Sequence, residues 1–179
     1  MKTWRLRSSS WIPRPPEAVF PFFADARNLE LLTPTFLRFA VLTPAPIEMR
    51  EGAHIDYRIT IRGVPLRWRT RIARWQPPSC FVDEQLRGPY SVWHHTHTFT
   101  PADGGTLLGD EVVMRPKGGP LAPLVMALFV RRDVERIFRF RGRVMAERFG
   151  APASSPARIW WDEPSPPRAA KAPTAGEAP

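Results

Sequence analysis

A chain of 179 residues with 43% hydrophobic content is long enough for one domain with a substantial core. Its formal charge of +9 comes mostly from arginine, 23 of its 26 basic residues, but no block of five Lys/Arg and no nucleic-acid-binding motif accompanies it. No apolar run reaches the ~20 residues of a membrane-spanning helix, no apolar leader is expected, and the single cysteine, Cys80, excludes an internal disulfide and a cysteine-based zinc site, which together favour the cytoplasm.

"TWRLRSSSW" alternates, with Trp4, Leu6, Ser8 and Ser10 on one side, and predicts a strand. "PRPPEAVFPFFADARNLELL" then predicts a helix. Its prolines suit a first turn, and Glu17 complements the helix dipole rather than serving chemistry. Pro21 limits or kinks that helix, and a second short helix is expected over 26–32. "FLRFAVLT" predicts a strand.

In "HIDYRITIRG", Ile55, Tyr57, Ile59 and Ile61 share one face; "LRWRTRIA" repeats the pattern with Leu66, Trp68, Thr70 and Ile72. Gly63-Val64-Pro65 turns the chain between them, so the pair reads as an antiparallel hairpin, apolar inside and arginine-studded outside. "CFVDEQLRG", "YSVWHHTHTFT" and "TLLGDEVVMR" continue a meander of five or six strands. Cys80, at a strand start, reads as a small buried hydrophobe.

"LVMALFVRRDVERIFRFRGRVMAERFG" predicts a long helix ending at Gly150. Leu124, Leu128, Val134, Ile137, Phe138, Met145 and Phe149 supply its apolar stripe. Arg131, Arg132, Arg136, Arg139, Arg141, Arg143 and Arg148 place a basic face opposite. One domain is thus expected over 1–150. Residues 151–179 are rich in proline, alanine and serine and read as a disordered tail. Its apolar island "RIWWDEP" either docks on a partner or folds back onto the domain.

The order of these elements, with "PPEAVFPFFADARNLELLTP", "LRWRTRIARWQPPSCFVDEQLRGPY", "WHHTHTF" and "GGTLLGDEV", resembles the START/Bet v 1-like (SRPBCC) superfamily over roughly residues 3–149. The likeness is strongest to its bacterial ligand-binding subgroup related to polyketide cyclase and coenzyme-Q-binding proteins. The resemblance implies an α+β helix-grip fold: a curved antiparallel sheet wrapped around a long C-terminal helix, with two short helices near the N-terminus. It also implies a cavity between sheet and helix for a hydrophobic or amphipathic molecule, with no cofactor.

Three of the four histidines lie in "SVWHHTHTFT". Side chains alternate along a strand, so Trp93, His95, His97 and Phe99 share one face, and the large apolar pair marks it as inward. His94 then points out. By the same alternation Phe81, Asp83 and Gln85 share a face, as do Leu108, Asp110, Val112 and Met114. With the cavity that the resemblance implies, the candidate ligand-binding residues are Tyr57, Trp68, Asp83, Gln85, Trp93, His95, His97, Phe99, Asp110 and Met114.

The polar members admit three readings: mutually satisfied buried groups, anchors for a polar ligand group, or a catalytic His–Asp pair drawn from His95, His97, Asp83 and Asp110. Two histidines and a carboxylate could also hold zinc, but no ligand motif supports a metal. The function expected is binding or carriage of a lipid, quinone or polyketide-like molecule. The alternatives are a cyclase/dehydratase-like enzyme, or a regulatory protein acting through its basic surface or tail. The arginines are either solubilising or suited to transient contact with an anionic membrane surface. Nucleic acid is disfavoured, because the aromatic residues point inward.

Overall fold

The computed structural model describes residues 2–152 and 155–162. Strand β1 (Trp4–Ile12) leads into helix α1 (Pro16–Ala24), and β2 (Ala40–Val41) into a meander of β3 (His54–Ile61), β4 (Val64–Gln76), β5 (Cys80–Arg87), β6 (Tyr90–Ala102) and β7 (Gly105–Pro116). Then follow α2 (Ala122–Val125), a π-helical turn (Met126–Val130), α3 (Arg131–Phe149) and β8 (Arg158–Asp162). The eight strands form one antiparallel sheet in the order β2-β3-β4-β5-β6-β7-β1-β8. The long C-terminal helix packs its buried side against the concave face, in the helix-grip arrangement.

The alternation decides the register. Ile55, Tyr57 and Ile59 pair with Thr70, Trp68 and Leu66, so one face of the hairpin is apolar but for the buried Thr70. The tip is Arg62-Gly63 rather than Gly63-Val64-Pro65, whose last two residues already pair in β4; both tip residues take positive φ, as a two-residue turn matched to strand twist requires, and Asp103-Gly104 does the same between β6 and β7. Register shifts in β4 at Arg69/Thr70 and Ile72/Arg74 bend the sheet, since an extra residue on one strand increases local twist.

The structure corrects several expectations. "FLRFAVLT" is not a full strand: Thr35–Leu37 is a 3-10 turn, Arg38 takes a left-handed φ of 43°, and only Ala40–Val41 pairs, with β3. The second short helix is a 3-10 turn, Ala26–Leu29, started by Asp25 accepting from the Arg27 amide. Leu124 and Leu128 are exposed, because the π turn shifts the helical phase and brings Met126 inward instead. Arg141, expected on the basic outer face, is buried beside Val134, Phe138 and Met145.

Part of the presumed tail is ordered. Arg158–Asp162 pairs antiparallel with β1, from Arg5↔Asp162 to Ser9↔Arg158, and covers that strand's edge. Trp161 Nε1 donates to Glu135 Oε1 at 2.7 Å, tying the strand to α3. Within "RIWWDEP" these five residues fold back onto the domain; the rest of the presumed tail, from 163 onward, lies outside the described residues.

Candidate functional site

A cavity of about 420 Å³ lies between the sheet and the long helix. Its walls are largely apolar: Ile55, Ile59 and Trp68 from the hairpin, Leu29 and Leu37 from the N-terminal turns, Val134 and Phe138 from α3. A cluster of buried polar groups forms where β5, β6 and α3 bring Asp83, His95, His97 and Arg141 to the wall.

Sheet register builds this cluster. Asp83 lies opposite His95, His97 opposite Asp110, and Asp110 opposite Ser8 on β1. The irregularity in β6 falls at Tyr90/Val92, ahead of the histidines, so their alternation is undisturbed. His95 and His97 are 6% and 3% exposed, with ring centroids 3.7 Å apart, and Phe81 stacks on His97 at 4.0 Å. His94 turns outward to Glu84.

The hydrogen bonds define the tautomers. His95 Nε2 donates to Asp110 Oδ1 at 3.1 Å, which leaves the lone pair of the neutral ring on Nδ1, 3.5 Å from Asp83 Oδ2. His97 Nε2 donates to Asp83 Oδ2 at 2.9 Å. Its Nδ1 lies 3.0 Å from both Arg141 Nη2 and Asp110 Oδ1; the guanidinium has the aligned N–H, so Nδ1 accepts. Asp110 further receives Ser8 Oγ at 2.8 Å and Arg141 Nη2 at 3.2 Å.

Burial pushes both aspartates up, but for Asp110 the Arg141 charge and the bond from His95 outweigh it and hold the carboxyl well below the usual range. Asp83 is likewise lowered, against burial, by the histidines and Arg141. Burial first, then the adjacent His97, pull His95 down to about 4 in spite of the two carboxylates. Tyr57, on the wall, is kept protonated by burial and the Asp83 charge.

Of the residues singled out from sequence, Tyr57, Trp68, Asp83, Trp93, His95 and His97 lie on the cavity wall. Four do not. Gln85 folds onto the Tyr90 backbone, donating to its carbonyl and accepting from its amide. Phe99 packs edge-on into Phe20 and Phe23. Met114 is fully buried in the core, and Asp110 sits behind the histidines, accepting from His95. Cys80 is half-buried with its thiol pushed up by burial, and Glu17 stays exposed in the first turn of α1.

Arg141 is the site residue that sequence reasoning missed. Its signal was its spacing: it stands seven residues after Val134 and three after Phe138, on the stripe itself.

Asp83, His95 and His97 bring three potential metal ligands within 4.8 Å of one another. Coordination through His97 Nε2, while Arg141 donates to Nδ1, would leave that ring with no proton. The arrangement suits hydrogen bonding better than metal ligation.

A neutral buried histidine predicts a pH dependence. Unfolded His95 takes up a proton near 6.5 and the native ring near 4, so its contribution is complete above 6.5 and is lost as pH falls between those values. Denaturant unfolding of His95→Phe should show a flatter slope across this window than the native chain. Nitrogen-15 NMR of the imidazoles should show His95 as the Nε2–H tautomer at neutral pH. A His95 already charged at pH 6 would contradict this account.

A family model described as "Polyketide cyclase / dehydrase and lipid transport" matches residues 12–139. Comparison with curated protein sequences returns no match. Among solved structures, the protein TTHA0849 from Thermus thermophilus superposes with a TM-score of 0.61 at 20% identity, covering 83% of this chain and 99% of that one. A START superfamily protein from Mycobacterium smegmatis gives 0.58 at 10% identity, covering 82% and 97%. The di-domain ARO/CYC StfQ of the steffimycin biosynthetic pathway gives 0.59 at 15% identity, covering 84% of this chain and 53% of that one. At these identities the likenesses concern the fold.

Proposed function

This chain belongs to the polyketide cyclase / dehydrase and lipid transport family, and we propose that it binds and carries one hydrophobic molecule with a hydrogen-bond-donating head, of the lipid, quinol or polyketide-like kind. The observation that carries this reading is the cavity of about 420 Å³, largely apolar, on whose wall Asp25 and Asp133 are paired with arginines while Asp83 faces the histidines. Its size lies within the ~300–1,000 Å³ typical of small-molecule sites. Asp110 is saturated by donors from Ser8, His95 and Arg141, whereas Asp83 spends one oxygen on His97 and stays partly exposed. A phenol, enol or hydroxyl would donate to that carboxylate while the apolar walls supply the affinity.

A catalytic role for His95 or His97 with Asp83 or Asp110 is the alternative. General bases work best with a pKa near the working pH, and a histidine drawn down to about 4 is a weak one. The binding reading is therefore preferred. The carrier is proposed to act in the cytoplasm, exchanging its cargo at the inner membrane surface.

Native mass spectrometry of protein purified from its own host should show one bound apolar molecule per chain, and an apolar fluorescent probe should displace it with one-to-one stoichiometry. Protein that carries no such molecule and binds no probe would end the proposal. Turnover of a displaced ligand that is lost in His95→Ala, with binding kept, would move the assignment to the enzyme.

A further inference from the structure

The antiparallel meander sends the β3–β4 tip, the β5–β6 turn and the β7–α2 loop to the same end of the sheet. Lys117 N donates to the Pro89 carbonyl and joins two of these turns. The large apolar side chains exposed there are Val64, Leu86, Leu121, Leu124, Leu128 and Phe129, with Leu124 and Leu128 at 55% and 57%. Leu121, Leu124 and Leu128 are spaced as on one helical face and all three are exposed, while Met126, at the start of the π turn, is buried. Cations surround them: Arg87, Lys117 and Arg132 are exposed, as is Arg131, which also reaches Glu135 at 3.6 Å. Residues 112–132 contain no acid, and Asp133, the next one, is engaged by Arg62 at 3.1 Å. The cavity wall reaches this same end, through Arg62, Pro89, Lys117, Val125 and Phe129.

We propose that this end of the molecule docks on an anionic lipid bilayer, the leucines of the α2–π segment entering the interface while Lys117, Arg131 and Arg132 meet the headgroups. Charge complementarity selects the occupant. A second copy seated on the patch would bring the cations of the two chains together, whereas an anionic surface neutralises them as the apolar side chains leave water. The proposal rests on the carrier reading only for its purpose: docking sets the cavity's rim against the layer from which an apolar cargo is taken. Vesicle binding is therefore measured on protein without added cargo, separately from probe binding.

The test is co-sedimentation of the whole chain with vesicles of phosphatidylcholine alone and of phosphatidylcholine with phosphatidylglycerol. The native chain should bind the anionic vesicles, less strongly as salt is raised, and the neutral ones weakly. Leu124→Asp/Leu128→Asp should lower partitioning at least tenfold, and Arg132→Glu about fivefold or more. None of these side chains lines the cavity, so probe binding and thermal unfolding should stay as in the native chain. Val64→Asp, on the hairpin tip, gives an independent loss. Equal binding to both vesicle types, no binding, or binding that survives the leucine changes would overturn the proposal. So would a native dimer that the leucine changes make monomeric, since the patch would then be a contact between copies.

Discussion

Arg141→Met is expected to lower the unfolding free energy by about 3–5 kcal/mol, the usual result of removing one partner from a buried charge pair. Arg141 is 7% exposed, and its guanidinium lies 3.2 Å from Asp110 Oδ1 and 3.0 Å from His97 Nδ1, over the face of Phe23. Without it, Asp110 would keep a negative charge in a buried site with only Ser8 and His95 as donors, and His97 would lose the proton donor that sets its tautomer. Methionine fills similar volume, so the loss reports the charge rather than a hole. Arg141→Met/Asp110→Asn should recover most of the stability, because the stranded charge goes with its partner. Lysine, a point charge in place of a two-pronged planar donor, should rescue poorly.

The pH dependence of this variant separates the explanation from a packing defect. In the native chain Asp110 is held well below 3.8, so its contribution is complete above 3.8 and is lost only as pH falls through the lower native value. In Arg141→Met burial acts unopposed by the guanidinium, and the carboxyl rises instead. The stability gap between the two proteins should therefore be widest near neutrality and narrow in acid. Urea titrations at a series of pH values measure it. A loss below about 1 kcal/mol, or a gap that does not change with pH, would contradict the role given to Arg141.

Asp83→Asn should weaken binding of a donor-headed ligand about 10–100-fold, the range for losing a hydrogen bond to a charged acceptor. The amide is nearly the same shape, and its oxygen can still accept from His97 Nε2, so the cluster should hold. What changes is the group offered to the cavity. Calorimetry with an alkylphenol and the matching alkylbenzene isolates that change. The phenol should lose affinity in the variant, and the alkylbenzene should bind both proteins within about twofold. Parallel losses for the two would mean that Asp83 shapes the cavity without contacting the head; no loss for the phenol would mean that the head lies elsewhere.

Much of the sheet was legible in the chain itself. The alternation of Ile55, Tyr57 and Ile59 against arginines, and of Trp93, His95 and His97 against His94, reports a local property of strands, so the inward face of each followed without knowledge of its neighbours. Gly63 marked the first hairpin turn, but the turn itself is Arg62-Gly63, with Val64 and Pro65 already in β4, since a glycine signals a positive φ without fixing which neighbour shares the turn. What failed was inference across elements. Gln85 shares a face with Asp83, yet it folds onto Tyr90 because a nearby backbone offers it both an acceptor and a donor. Asp110 shares the inward face of its strand but sits behind two imidazoles.

The sequence by itself thus determined which side of each strand is apolar, which histidines face inward and, to within a residue, where the first hairpin turns, because these depend on backbone geometry over a few residues. Only the tertiary structure decided that Arg141 is buried, that Arg158–Asp162 covers the β1 edge, and that sheet and helix stand apart around a cavity. Each of these depends on groups distant in the chain. The spacing of Arg141 puts it on the apolar stripe, but an arginine stays there only where Asp110 and His97, from other elements, are in place to receive it, and those partners are not read from the helix.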